Sequence, residues 1–212
     1  MYLSRVKLDT ELRATKKALA NPQVMHAIVA GCFETSIDVR PLWRIDTLRG
    51  STYMLVVSAA TPDFTSLVDQ LSSPENAEVS IRDYTKFLSQ INNSETFKFR
   101  LNANPVRSTK RSEKSSESLA ARGKIYGHVT VEHQLKWLQD RAAKHGFELV
   151  QFDVVSRGER RFKRENATVT LTVACFEGIL QVSDATLLRE ALAKGIGRAK
   201  AYGCGLMTVA RL

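Results

Sequence analysis

Cysteine is scarce in this chain. There are three in 212 residues, Cys32, Cys175 and Cys204. They are too few and too scattered for a disulfide framework or a structural zinc site, and they read as buried thiols in a reducing cytosol. Long apolar runs are missing as well. Nothing approaches the roughly 18 residues that a membrane-spanning helix needs. The first residues, Met1 to Val6, alternate apolar and polar, so a strand is expected there and not a signal peptide. No cluster of Asp and Glu of the metal-binding kind stands out, so no metal and no cofactor are expected. Acidic residues are in deficit throughout, with 22 Asp and Glu against 31 Lys and Arg, a net charge of +9. What is present is globular: 43% hydrophobic and 25% charged residues exclude a wholly disordered chain.

A basic chain of this size points to polyanions, of which nucleic acid is the commonest. The charge is local. Residues 97–127 carry eight basic and two acidic side chains, and residues 157–165 carry five and two. These two segments account for the whole excess, and the remainder of the chain is neutral.

Hydrophobic periodicity gives the same order of elements twice. A strand at 2–8 precedes helical sequence from 10 to about 33, which Asn21-Pro22 divides, since Pro suits the first turn of a new helix. Strands at 43–47 and 52–58 flank a turn, a helix covers 63–71, and a short strand is expected at 84–88. The second half has a strand at 96–102 and a mobile basic loop at 107–124, which includes Arg107, Lys110 and Arg111. A helix at 130–146 then stops at Gly146. Strands at 147–155 and 167–176 follow, linked by 157–166, with a helix at 184–194 and a last strand at 206–212. The expected fold is α+β, two tandem ferredoxin-like (RRM-like) β-α-β-β-α-β domains at residues 1–92 and 93–212. Trp43 and Trp137 are assigned to the core.

Between the last helix and strand lies Gly195-Ile-Gly197-Arg198-Ala-Lys200-Ala-Tyr202-Gly203-Cys204-Gly205. A dinucleotide fingerprint needs strand before helix and a third glycine where Lys200 stands. A phosphate-binding Walker loop needs Gly-Lys-Ser/Thr, which is absent. The remaining reading is a flexible backbone with exposed N–H groups and two cations, Arg198 and Lys200, suited to close approach of a phosphate chain.

These residues resemble a known family. The run from Phe176-Glu-Gly-Ile-Leu through Gly-Ile-Gly-Arg-Ala-Lys to Gly-Cys-Gly-Leu-Met is similar to the signature of repeat-associated RNA-processing proteins. The N-terminal Met-Tyr-Leu-Ser and the run Phe99-Arg100-Leu101-Asn102-Ala103-Asn104-Pro105 resemble one branch, the CRISPR-associated CasE endoribonucleases of type I-E Cascade complexes. The resemblance implies a cytoplasmic, metal-independent endoribonuclease. Such an enzyme cuts the stem-loop of CRISPR repeat RNA at the 3′ base of the stem and stays bound to its product beside the other Cascade subunits. It implies no membrane partner.

His26, near the start of the second helix, matches the family's catalytic histidine. A side chain titrating near neutrality can take the proton of an attacking 2′-hydroxyl or protonate a leaving 5′-oxygen, and the sequence leaves that choice open. The family often has Tyr three residues earlier. Here that residue is Gln23, which has no phenol; Tyr2, Tyr202 and Lys200 are candidate partners. Arg157, Arg160, Arg161, Lys163 and Arg164 are expected at a basic hairpin tip that enters the groove at the stem's end. Arg100 and Asn102 are expected on a strand facing the same groove. The aromatic pattern of an ordinary RRM is missing, so base stacking on the open sheet is not expected. On this reading the charge grips RNA apart from His26. The competing reading is a non-catalytic subunit that holds RNA hairpins, which Gln23 favours.

Overall fold

The computed structural model describes residues 1–34, 40–73, 75, 77–108, 125–165 and 167–212. The first half runs β1 (Tyr2–Leu8), α1 (Arg13–Ala20), α2 (Pro22–Ala30), β2 (Leu42–Leu48), β3 (Ser51–Ser58), α3 (Thr65–Leu71), β4 (Val79–Asp83) and α4 (Tyr84–Ser89). The second runs β5 (Thr96–Ala103), β6 (Val106–Ser108), β7 (Ile125–Gly127), α5 (Val131–Ala142), β8 (Phe147–Arg164), β9 (Ala167–Val182), α6 (Ala185–Lys194) and β10 (Met207–Arg211).

Two four-stranded antiparallel sheets result, ordered β2-β3-β1-β4 and β10-β5-β9-β8. Each is the ferredoxin-like order, in which the first and third strands of the unit are central. The expected tandem fold is therefore the observed one. No helix among the described residues is long and apolar enough to cross a membrane.

Local chemistry explains the joints. The Asn21 side chain accepts from the Gln23 N–H at 3.0 Å, so Asn21 caps α2 and Pro22 occupies its first turn. The β2–β3 turn has positive φ at both Arg49 and Gly50, the twist a two-residue hairpin needs.

Three expectations fail. The strand expected at 84–88 is helix α4. The Asp83 carboxylate accepts from the Thr85 N–H and opens a helix there, and the pairing strand lies just before it. The link expected at 157–166 is mostly strand: β8 and β9 form a long ribbon paired out to Arg164 and Ala167. A β-strand tolerates charged residues on both faces where the ribbon leaves the core, so charge alone is a poor loop signal. In the basic loop, Arg107 and Ser108 belong to β6, which pairs with β7. Lys110 and Arg111 lie outside the described residues.

The halves are not independent. One apolar core lies beneath the first sheet, around Val6, Met25, Trp43, Met54 and Leu67. The second is centred on Phe97, Leu101, Phe147 and Phe176, and also takes in Leu42, Val57, Tyr84, Leu88 and Ile91. Between them sits Arg44, 1% exposed. It donates to both Asp46 carboxylate oxygens at 2.9 and 2.7 Å, to the carbonyls of Arg100 and Leu206, and to Thr208 Oγ1. All five guanidinium N–H groups thus have a partner, as a buried cation requires.

Candidate active site

His26 lies half-buried on α2, in a cleft of about 670 Å³. Gln23 stands one turn before it on the same helix. Facing residues come from distant sequence: Arg164 from the end of β8, and Arg198, Lys200 and Tyr202 from the Gly-rich segment. Arg40, just before β2, completes the wall. Among the described residues lining the cleft, four are cations and none is acidic. Among the described residues there is also no group of three or more His, Cys, Asp or Glu able to hold a metal ion.

The ribbon delivers Arg164 by simple alternation. Successive strand residues face opposite sides, so Arg160, Phe162 and Arg164 share one face while Arg161 and Lys163 share the other. Phe162 is 5% exposed and packs with Leu171, Val173 and Cys204. Its ring meets that of Tyr202 edge-on, with centroids 4.8 Å apart. This contact pins the ribbon to the Gly-rich segment and carries Arg164 over the first half of the chain. The expectation that charge lies apart from His26 is thereby corrected. Sequence mapping by segment cannot see a strand long enough to reach back.

Tyr202 is the candidate partner that the structure brings to His26. The two rings meet edge-on with centroids 6.1 Å apart, and the Tyr202 hydroxyl donates to Gln23 Oε1 at 3.2 Å. Lys200 lines the same cleft, whereas Tyr2 is on β1, paired with Ser58 and Asp83. Burial lowers the His26 pKa below its ordinary value, with Arg40 and Arg164 adding to it. Burial and Arg40 lower the Lys200 pKa. The free site therefore holds a neutral imidazole at neutral pH beside an amine that gives up its proton more readily than usual.

The glycines do a different job from the one expected. Gly195, Gly203 and Gly205 are buried and only Gly197 is exposed. The Gly195 N–H donates to the Ala191 carbonyl and the Gly205 N–H to the Asn102 carbonyl, so neither is open to a phosphate. Gly203 has φ +77, and a Cβ there would lie 2.7 Å from the Trp43 ring. Trp43 Nε1 in turn donates to the Ala201 carbonyl at 3.2 Å. The glycines let the segment lie flat on the first half, which holds Lys200 and Tyr202 against α2.

Other expected RNA contacts are spread out. Arg100 pairs with Glu177 and, at 3.3 Å, with Asp46, so its charge is already compensated within the protein. Asn102 is half-buried beside it on β5. Arg157 Nη1 donates to the Val129 carbonyl at 2.8 Å. Arg161 and Lys163 are exposed on the ribbon's other face, and Arg107 lines a separate cleft. Arg40 was missed, because it stands alone between motifs and only the fold brings it to α2. The three cysteines are buried, as expected, and burial raises the Cys32 thiol to about 11 and that of Cys204 to about 12.

A cleft of cations around one neutral histidine suits cleavage of a phosphodiester chain. Comparison with known proteins adds the family. Residues 1–211 match the family described as CRISPR associated protein. The chain belongs to that family. The CRISPR-associated endoribonuclease Cse3 of Thermus thermophilus is 28% identical over 227 residues, covering 99% of this chain and 100% of that protein. The CRISPR system Cascade subunit CasE of Escherichia coli is 30% identical over 115 residues, 54% of this chain and 57% of its own. The solved structure of CRISPR endoribonuclease Cse3 bound to a 19-nucleotide RNA superimposes with a TM-score of 0.80 at 26% identity. That match covers 99% of this chain and 100% of the other. The Cas6e structure from Escherichia coli, at 24% identity and a TM-score of 0.69 over the full length of both chains, shares the fold.

Proposed function

We propose that this member of the CRISPR-associated family is an endoribonuclease that cuts the stem-loop of CRISPR repeat RNA and remains bound as a subunit of a Cascade complex in the cytoplasm. It divides into domains at residues 1–92 and 93–212, with the cut made where they meet. The observation that carries the reading is His26, neutral and half-buried, in a cleft lined by Arg40, Arg164, Arg198 and Lys200, with no carboxylate among the described residues of its lining.

The chemistry balances without an outside reagent. His26 takes the proton of the 2′-hydroxyl, whose oxygen attacks the adjacent phosphorus. The bond from phosphorus to the 5′-oxygen breaks, leaving a 2′,3′-cyclic phosphate and a 5′-hydroxyl. Lys200, with its lowered pKa, donates the proton the leaving oxygen needs. General acid–base help of this kind is worth about 10²–10⁴-fold. Arg40, Arg164 and Arg198 offset the charge that develops on the phosphorane, and the Tyr202 hydroxyl turns from Gln23 Oε1 to donate its one proton to a phosphorane oxygen. Arg160, Arg161 and Lys163 on the ribbon, with Lys110 and Arg111 before it, hold backbone phosphates of the stem, and Arg107 binds the same RNA from its separate cleft.

The test uses purified protein and a cognate repeat RNA in EDTA. Wild type cuts once, His26→Ala binds without cutting, and an RNA with 2′-deoxyribose at the scissile position binds uncut. Unchanged cleavage by His26→Ala would remove the residue from the mechanism. Gln23 in place of the expected tyrosine favours a second reading, a subunit that only holds the hairpin. A wild-type protein that binds the repeat tightly and never cuts it would establish that one.

A further inference from the structure

A second cleft, of about 800 Å³, opens on the other side of the Gly-rich segment. Its walls come from the end of β5, from β6 and β7, and from one face of α5. Arg198 lines this cleft and the His26 cleft alike. It is the described residue that the two linings share.

The chemistry inside is that of a nucleotide site. Asn104 is 6% exposed and its Oδ1 is buried without a hydrogen-bond partner among the described residues; Trp137 is 3% exposed and its Nε1 is likewise unpartnered. Both line the cleft. A buried polar atom left unpaired costs about 1–3 kcal/mol, so two in one cavity mark a place where a ligand supplies the missing partners. An unpaired acceptor and an unpaired donor in the lining of one cleft suit the edge of a nucleobase. His128 and His133 line the same cleft, their rings with centroids 5.6 Å apart and tilted by 38°, and supply aromatic faces for a base. Among the described lining residues the cations are Arg107, Lys136, Arg141 and Arg198, against one carboxylate, Asp140, which pairs with Lys136 at 3.1 Å. Three positive side chains thus remain for phosphate, and Arg141 also lies 4.3 Å from the centre of the Trp137 ring.

We infer that this cleft is a subsite for an unpaired nucleotide flanking the stem of the RNA, base inward against Asn104 and Trp137, phosphate toward Arg107 and Arg198. The inference rests on the reading of the His26 cleft as the cutting site. Arg198, common to both linings, gives a strand leaving that cleft a cation to follow into this one. A free anion would use only the cations, and a peptide backbone would leave the two imidazoles without a base to stack on.

The experiment compares three RNAs, a bare repeat stem-loop and the same stem-loop extended by unpaired uridines on the 5′ or the 3′ side. At least one extended RNA binds the wild type about tenfold more tightly than the bare stem-loop, the gain expected of one stacked base. His133→Ala with Lys136→Ala, both exposed positions, removes that gain and leaves affinity for the bare stem-loop, its cleavage and the melting temperature unchanged. His133→Ala alone removes most of it. Absence of any gain in the wild type, a gain that survives in the double variant, or equal loss on all three RNAs would overturn the subsite. The two readings fail separately. A wild type that cuts the bare stem-loop with no gain from a flank keeps the nuclease and loses the subsite. A gain with no cutting keeps the subsite and loses the nuclease.

Discussion

Gly203→Ala distinguishes a phosphate cradle from a packing surface. At φ +77 an alanine pays about 1–2 kcal/mol for the left-handed backbone. Its Cβ would stand 2.7 Å from Trp43 Cζ3 and 3.0 Å from Cη2, and both are ring atoms of a tryptophan that is 2% exposed. Trp43 is also tied by its Nε1 to Ala201, so it cannot swing away cheaply. Overpacking of this kind costs about 1–3 kcal/mol. The two effects come to about 2–5 kcal/mol, or about 4–20 °C in melting temperature for a chain of this length. Because Gly203 follows Tyr202 directly, the shift also moves the phenol away from Gln23 and His26. The expected result is a less stable protein that still binds the stem-loop and cuts it slowly. Thermal unfolding, filter binding and single-turnover cleavage measure the three. Gly158→Ala is the control, since nothing lies within 4 Å of a Cβ there; it should change stability by less than about 0.5 kcal/mol. A Gly203→Ala protein within about 1 kcal/mol of wild type that has lost stem-loop binding would refute the packing argument and restore the cradle.

Arg44→Met leaves Asp46 buried with only Arg100 as a cation, which should cost about 3–5 kcal/mol in urea unfolding. Adding Asp46→Leu should recover most of it, since the pair is then replaced as a whole. Arg164→Ala removes one of the charges that lower the His26 pKa, so the imidazole holds its proton to higher pH. The acid limb of the kcat/KM profile for cleavage should move upward, and an unmoved or downward limb would remove His26 as the base.

The fold was legible because the periodicity that builds a ferredoxin-like unit is local. Asn21-Pro22 announces its own helix boundary, and the alternation of residues 2–8 announces a strand. What sequence hides is reach. Residues 157–164 look like a charged connection, and only pairing of Arg160 with Leu171 and Phe162 with Val169 makes them strand. That single difference brings Arg164 from the basic second half to the neutral first. Charge on Arg100 shows the opposite effect. It counts toward a basic segment in the sequence, yet in the fold Asp46, from the other half, and Glu177 neutralise it. The Gly-rich run was visible as a feature, but its purpose was not, because the two tryptophans it packs on lie far away in the chain.

The same long-range economy bears on the missing tyrosine. Gln23 occupies the position where the resemblance to CasE endoribonucleases implies a phenol, and in this fold the Tyr202 hydroxyl reaches the Gln23 amide oxygen. If position and not sequence decides, the hydroxyl should be movable. Tyr202→Phe keeps the ring that packs on Phe162 and His26 and deletes only the hydroxyl. One half-buried hydrogen bond is lost, so stability should fall by no more than about 0.5–1.5 kcal/mol. The loss of one donor to the phosphorane should lower kcat by about 10²-fold with KM unchanged. Gln23→Tyr introduced into the Tyr202→Phe protein places a phenol on α2 one turn before His26 and should restore part of the rate. A purely structural Tyr202 predicts instead that Tyr202→Phe cuts within about threefold of wild type and that Gln23→Tyr adds nothing. The decisive quantity is the ratio of single-turnover rates in the two proteins, since both retain the basic cleft and both should bind the stem-loop equally.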